Sequence, residues 1–139
     1  MARRRNILYN QFVEIKIYYQ DTDCGGVVYY ANYLTYFERA RTEFLREMGA
    51  DISKLMERGI FFMVRRAEID YVSPARYGET ISVEVKAGKM TGASIELLYE
   101  ITEKETRRTI VRGKTMMVCV GKDMKPTRLP AEMKIERWF

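Results

Sequence analysis

Residues 12–19 alternate, with Val13, Ile15, Ile17 and Tyr19 on one face and Glu14 and Lys16 on the other, which predicts a half-buried strand. The next segment, Gln20-Asp21-Thr22-Asp23-Cys24-Gly25-Gly26, breaks the alternation with turn-forming residues. From Tyr30 to Met48 the period changes. Tyr33, Phe37, Ala40, Phe44 and Met48 recur at steps of three and four, Leu34 and Leu45 widen the stripe, and charged residues fill the rest. That spacing predicts a helix about 28 Å long, closed by Gly49 as its C-cap. A short helix follows from Asp51, its N-cap, to Arg58, with Gly59 as a stop.

The remainder reads as strand. Ala67, Ile69 and Tyr71 alternate with Arg66, Glu68 and Asp70; Ile81, Val83, Val85 and Ala87 alternate with Ser82, Glu84 and Lys86; Ile95, Leu97, Tyr99 and Ile101 alternate with Glu96 and Glu100. A run from Thr109 to Val120 is apolar and β-branched, and turns are expected over Gly88–Gly92 and Lys104–Arg107. One strand, one long helix and four antiparallel strands give an α+β unit. A single helix cannot stand free, so a curved sheet wrapping it is the simplest way to bury its stripe.

With 139 residues the chain is sized for one domain spanning 1–139, and it contains no repeat or Pro/Ser-rich linker. Cys24 and Cys119 are far apart and form no metal-spaced pair, which argues against a disulfide framework. Arg3–Arg5 is not followed by the apolar stretch of a signal peptide, and no run approaches the length of a membrane span. A cytoplasmic protein is expected. The net charge of +5 is diffuse, Arg3–Arg5 being its one dense run. A solvated basic surface or attraction of a polyanionic small molecule accounts for it better than nucleic acid.

The chain has no histidine. That excludes a Ser-His-Asp triad and a Cys-His dyad and leaves few routes to a catalytic zinc site. Acid–base chemistry must run on carboxylates, lysine, tyrosine, cysteine or backbone donors, and neither a metal nor a cofactor is implied.

The segment richest in chemistry is Asp21-Thr22-Asp23-Cys24-Gly25-Gly26-Val27-Val28-Tyr29-Tyr30-Ala31-Asn32-Tyr33. It is an acidic, glycine-rich turn delivered by a strand to the start of the long helix. Free N–H groups at a helix start suit an oxyanion or a carbonyl oxygen, and a carboxylate a few residues earlier can face the same point. That pair is a minimal acyl-transfer centre. Asp and Gly before a helix serve equally as turn formers and N-caps.

The same residues carry a resemblance. Asp21, Asp23, Gly26, Val28, Tyr29, Tyr30 and Tyr33, with Phe37, Glu38, Ala40 and Arg41 on the helix, resemble the signature of hotdog-fold thioesterases similar to 4-hydroxybenzoyl-CoA thioesterase, and within them the bacterial branch associated with the Tol–Pal envelope system. The resemblance implies a hotdog domain that hydrolyses acyl-CoA thioesters. It assigns Asp23 as the catalytic carboxylate and the Tyr30 backbone N–H as the donor to the thioester carbonyl, and it implies a homodimer or homotetramer with sites at a subunit interface. Gly26, Tyr29 and Tyr33 fall where substrate would bind. Two departures stand out: many relatives have histidine at the place of Tyr30, and the arginine-rich turn of the aryl-CoA enzyme is here Gly88-Lys89-Met90-Thr91-Gly92. Lys86 and Lys89 are candidates for the CoA phosphates and equally for a solvated strand end. Cys24 reads as a small packed residue rather than a nucleophile, and Asp21 as a turn or cap residue. A hotdog hydratase, or a non-catalytic module for acyl carrier protein or envelope-associated partners, uses the same fold.

Overall fold

The computed structural model describes residues 11–133; the Arg3–Arg5 run lies outside them. The order is β1 (Gln11–Lys16), a 3₁₀ turn (Tyr19–Asp21), α1 (Asn32–Glu47), α2 (Ile52–Glu57), β2 (Phe61–Tyr71), β3 (Thr80–Met90), β4 (Ser94–Glu103), β5 (Thr109–Val120) and a 3₁₀ turn (Ala131–Met133). The five strands form one antiparallel sheet in the order β1-β3-β4-β5-β2. Among the described residues no helix is long and apolar enough to cross a membrane.

The helix stripe is the filling of the sheet. Tyr33, Phe37, Ala40, Phe44, Leu45 and Met48 are all buried, against an inner sheet face of Ile81, Val83 and Val85 (β3), Ile95, Leu97, Tyr99 and Ile101 (β4) and Val111, Met117 and Cys119 (β5). Phe37 stacks flat on Tyr99, with ring centroids 4.1 Å apart. Gly113 permits this approach, since a Cβ there would meet the Phe37 ring at 2.5 Å. The outer face of the sheet carries cross-strand ion pairs, Arg112 with Glu100 and Lys114 with Glu68 and Glu96. Gly49, at φ +101°, ends α1 as expected, and Asp51 caps α2 by accepting from Ser53 N at 3.0 Å.

Several expectations shift. The first strand ends at Lys16, and Tyr19 turns outward in the 3₁₀ turn, 78% exposed instead of sharing a face with Ile15 and Ile17. The helix starts at Asn32, so Tyr30 lies in the turn before it; Leu34 is exposed, while Tyr36 joins the core. β2 begins at Phe61, five residues before the alternation at Arg66 starts, because Phe61–Val64 is a continuous apolar run with no alternation to read. Its register shifts between Val64 and Arg66, and as an edge strand it leaves Ala67 and Tyr71 exposed. β3 continues through Gly88 to Met90 with an irregularity after Ala87, so the turn is shorter than Gly88–Gly92.

Candidate active site

Asp21–Tyr29 folds back on itself as a small hairpin. Thr22 lies opposite Val28, and Asp23 N donates to Val27 O at 2.8 Å. Gly26, at φ +80°, makes the reversal in a region that favours glycine. The Asp21 carbonyl closes the base by accepting from Tyr29 N and from the Asn32 side-chain amide, both at 2.9 Å. One acceptor thus ties the incoming strand, the outgoing arm and the first turn of α1 together.

At the tip, Asp23 Oδ1 accepts from Gly25 N at 2.7 Å. Its other oxygen has no hydrogen-bond partner and its charge no ion pair among the described residues, and the side chain is exposed. Asp23 is therefore not the helix cap. The N-cap position is Ala31, with no side-chain cap bond, and the Tyr30 N–H has no acceptor among the described residues. An unsatisfied donor at the positive end of a 16-residue helix and an unpaired carboxylate are thus presented by one tied segment. A free donor of this kind can hold an oxyanion, and a free carboxylate can attack a carbonyl or activate water.

The other candidates take distinct places. Tyr29 and Tyr30 are exposed side by side, with ring centroids 4.9 Å apart. Tyr33 is buried, and its hydroxyl accepts from Ala75 N at 3.2 Å; Ala75 O in turn accepts from Val28 N at 2.8 Å. Tyr33 therefore supports the hairpin from behind. Burial first, and a neighbouring Tyr71 among smaller effects, hold its phenol above the ordinary range. The buried Tyr36 hydroxyl is also raised, by burial first and then by the Asp21 carboxylate near it. Lys86 and Lys89 do not reach the hairpin within one chain. Lys86 lies on the outer sheet face by a hollow shared with Glu84, Glu100 and Arg112, and Lys89 sits at the far end of β3, about 30 Å along the strand from Thr80.

Tyr71 was not singled out for the site. Its hydroxyl donates to Tyr30 O at 3.2 Å, and its ring lies 6.2 Å from Tyr30 and 5.8 Å from Tyr33. Nothing local in the sequence marks it, because the contact is made across 41 residues. Further along α1, an apolar cavity of about 290 Å³ opens between Leu45, Ile52, Met56, Phe62, Met63 and Met117, with Glu38 and Arg41 also on its lining.

Comparison with known proteins places the chain in a family. A family model described as "Thioesterase-like superfamily" matches residues 18–138. The chain is 40% identical over 125 residues to the acyl-CoA thioesterase YbgC of Haemophilus influenzae, covering 86% of this chain and 88% of that one. It is 35% identical over 123 residues to the acyl-CoA thioester hydrolase YbgC of Escherichia coli, covering 88% and 91%. The DHNA-CoA thioesterase from Staphylococcus aureus superposes with a TM-score of 0.85 at 28% identity, over 93% of this chain and 88% of that one. A five-stranded antiparallel sheet around one long helix, a free carboxylate on a tied hairpin and these likenesses lead to one conclusion: the chain belongs to the thioesterase-like superfamily, with the hotdog fold.

Proposed function

We propose that the protein hydrolyses acyl-CoA thioesters, converting acyl-CoA and water to a carboxylic acid and the CoA thiol, with Asp23 and the Tyr30 N–H as the reacting groups. The observation that carries this reading is the pairing on one tied segment of an unpartnered carboxylate with an uncapped helix start. The Tyr30 N–H and the α1 dipole stabilise the oxyanion as the carbonyl is attacked, a contribution typically worth about 10²–10³ in rate. Asp23 acts through Oδ2, the oxygen that Gly25 leaves free. It either takes a proton from the attacking water or forms a mixed anhydride that water then opens; in both routes the thiolate leaves and is protonated.

The working unit in this reading is at least a homodimer. β2 is an 11-residue edge strand with Met63, Val64 and Tyr71 41–50% exposed, the kind of edge that proteins cover. Two-fold antiparallel pairing about its middle would carry the partner's Phe61–Val64 end alongside Tyr71 and Tyr30. The partner's apolar cavity would then receive the acyl group. Light scattering at micromolar protein is expected to give at least twice the 16.4 kDa chain mass; a monomer would overturn the composite site.

The test of the activity is thiol release across a series of acyl-CoA chain lengths and aryl-CoAs. Asp23→Asn keeps the shape and removes the charge, and a folded variant is expected to lose at least about 10²-fold in kcat. A fully active Asn variant removes Asp23 from the chemistry. In single turnover in ¹⁸O-water, label in the Asp23 carboxylate identifies the anhydride route, since it arises when water opens the anhydride at the Asp23 carbonyl and never in the general-base route.

A further inference from the structure

The cation bridged directly to the catalytic hairpin is neither Lys86 nor Lys89. Arg76 lies directly opposite Val27 in an isolated antiparallel bridge, and the adjoining Ala75 O accepts from Val28 N at 2.8 Å. Its backbone is thus fixed two positions from Gly25, on the arm that returns from Asp23. Ala75 is fully buried while Arg76 is exposed.

Its charge is uncompensated. Arg76 has no ion pair among the described residues. The acid beside it, Glu79, is already engaged: Oε1 accepts from the Arg76 backbone N–H at 2.7 Å, and both carboxylate oxygens accept from Arg108 at 3.0 and 3.1 Å. Arg108 is held in turn by Ser73 Oγ at 3.2 Å and Pro74 O at 3.0 Å. The Arg108–Glu79 pair is thus self-contained, and the guanidinium of Arg76 is left for a ligand. Next to it, Tyr77 and Tyr19 stand 64% and 78% exposed with rings edge to face at 6.1 Å, anchored by Gly78 N donating to Ile17 O at 3.0 Å. A free guanidinium beside an uncovered aromatic pair, at the rim of a site for a substrate that ends in a phosphorylated adenosine, has a direct chemical meaning. Guanidinium binds phosphate through paired N–H donors, and an exposed ring stacks on a base.

We infer that Arg76 engages a phosphate of the CoA nucleotide, with Tyr77 beside it as the platform for adenine. This rests on the acyl-CoA reading above and gives that site its handle for the non-reacting end of the substrate. The handle acts on binding rather than on bond breaking.

The experiment compares an acyl-CoA with the N-acetylcysteamine thioester of the same acid, which keeps the reacting group and lacks the nucleotide. Arg76→Ala is expected to raise KM about tenfold on the acyl-CoA, as for loss of a charge-assisted bond, and less than twofold on the truncated ester. Arg76→Lys is expected to recover part of the loss, and the salt dependence of KM on acyl-CoA is expected to flatten in the Ala variant. Dephospho-CoA esters separate the sources: a persisting tenfold effect assigns the pyrophosphate, and a vanished one the 3′-phosphate. Equal losses on both esters would reduce Arg76 to a support of the hairpin, and no loss on acyl-CoA would overturn the assignment outright. Titration calorimetry with CoA alone keeps the two readings apart. If the wild type releases no thiol from either ester, the hydrolase reading fails, while a tenfold weaker CoA affinity in Arg76→Ala still upholds the phosphate contact and an equal affinity refutes it.

Discussion

The Tyr71 hydroxyl, at the end of β2, donates to the backbone carbonyl of Tyr30 at 3.2 Å. This is the tie between the edge strand and the residue whose N–H is assigned to the oxyanion. Tyr71→Phe keeps the ring contacts to Tyr30 and Tyr33 and removes only the hydrogen bond. A bond of this kind contributes about 0.5–1.5 kcal/mol, so kcat is expected to fall roughly twofold to tenfold. Steady-state kinetics on a variant with unchanged circular dichroism checks this; an unaltered kcat would leave the tie without a role in turnover.

The side chain of Tyr30 is a different matter from its backbone. The ring is exposed beside Tyr29, and its hydroxyl makes no hydrogen bond among the described residues. Tyr30→Phe is expected to keep most of the activity. Tyr30→Pro deletes the N–H and is expected to cost about 10²–10³ in kcat. A large loss in the Phe variant would instead give the hydroxyl a part of its own in turnover.

How much of this was legible in the sequence follows from distance along the chain. The helix stripe, the Gly49 stop, the Asp51 cap and the last strand over Thr109–Val120 depend on near neighbours, and the alternations at 81–85 and 95–101 hold in the sheet. The acidic turn before the helix was legible for the same reason. Tyr19 and Leu34 follow a periodic pattern yet face outward, because the 3₁₀ turn and the outer side of α1 override the local period. In β2 the irregularity around Arg65 breaks the phase that alternation relies on. Tyr71 and Arg76 meet the hairpin only through sheet topology, which no local spacing encodes.

Gly113 is a packing constraint. A methyl group there would sit 2.5 Å from Phe37 Cε2 and Cζ and 3.1 Å from Glu68 O. Gly113→Ala is expected to cost about 1–3 kcal/mol in urea unfolding, as overpacking does. Adding Phe37→Leu is expected to restore part of that, since the two sites are in contact and non-additive. Additive losses would show that the ring is not what the methyl group meets.

Glu103 gives the fold a pH dependence. It is 4% exposed, and its carboxylate accepts from Thr106 N and Thr106 Oγ at 2.8 Å and from Glu105 N at 3.1 Å. The Thr106 backbone bond, followed by those from Glu105 and the Thr106 hydroxyl, holds its carboxyl below the ordinary value of 4.5. With the folded value depressed, the stabilisation is complete above the unfolded value and is lost as pH falls through the folded one. Glu103→Gln is therefore expected to lower Tm at pH 7, and the gap to the wild type is expected to close as pH drops below about 4. A gap that widens in acid would reverse the sign and refute the account.

The groups assigned to bond breaking fall within residues 23–30, braced from outside by Tyr71 and Ala75, whereas the apolar cavity is lined from α1 near Leu45, α2, the start of β2 and Met117. The proposed chemistry and the proposed acyl pocket are thus encoded by separate stretches of the gene. Codon changes at Ile52 or Met56 can reshape the cavity without touching the hairpin, so the choice of acyl group proposed for it is free to drift in a lineage while the proposed reaction is inherited intact.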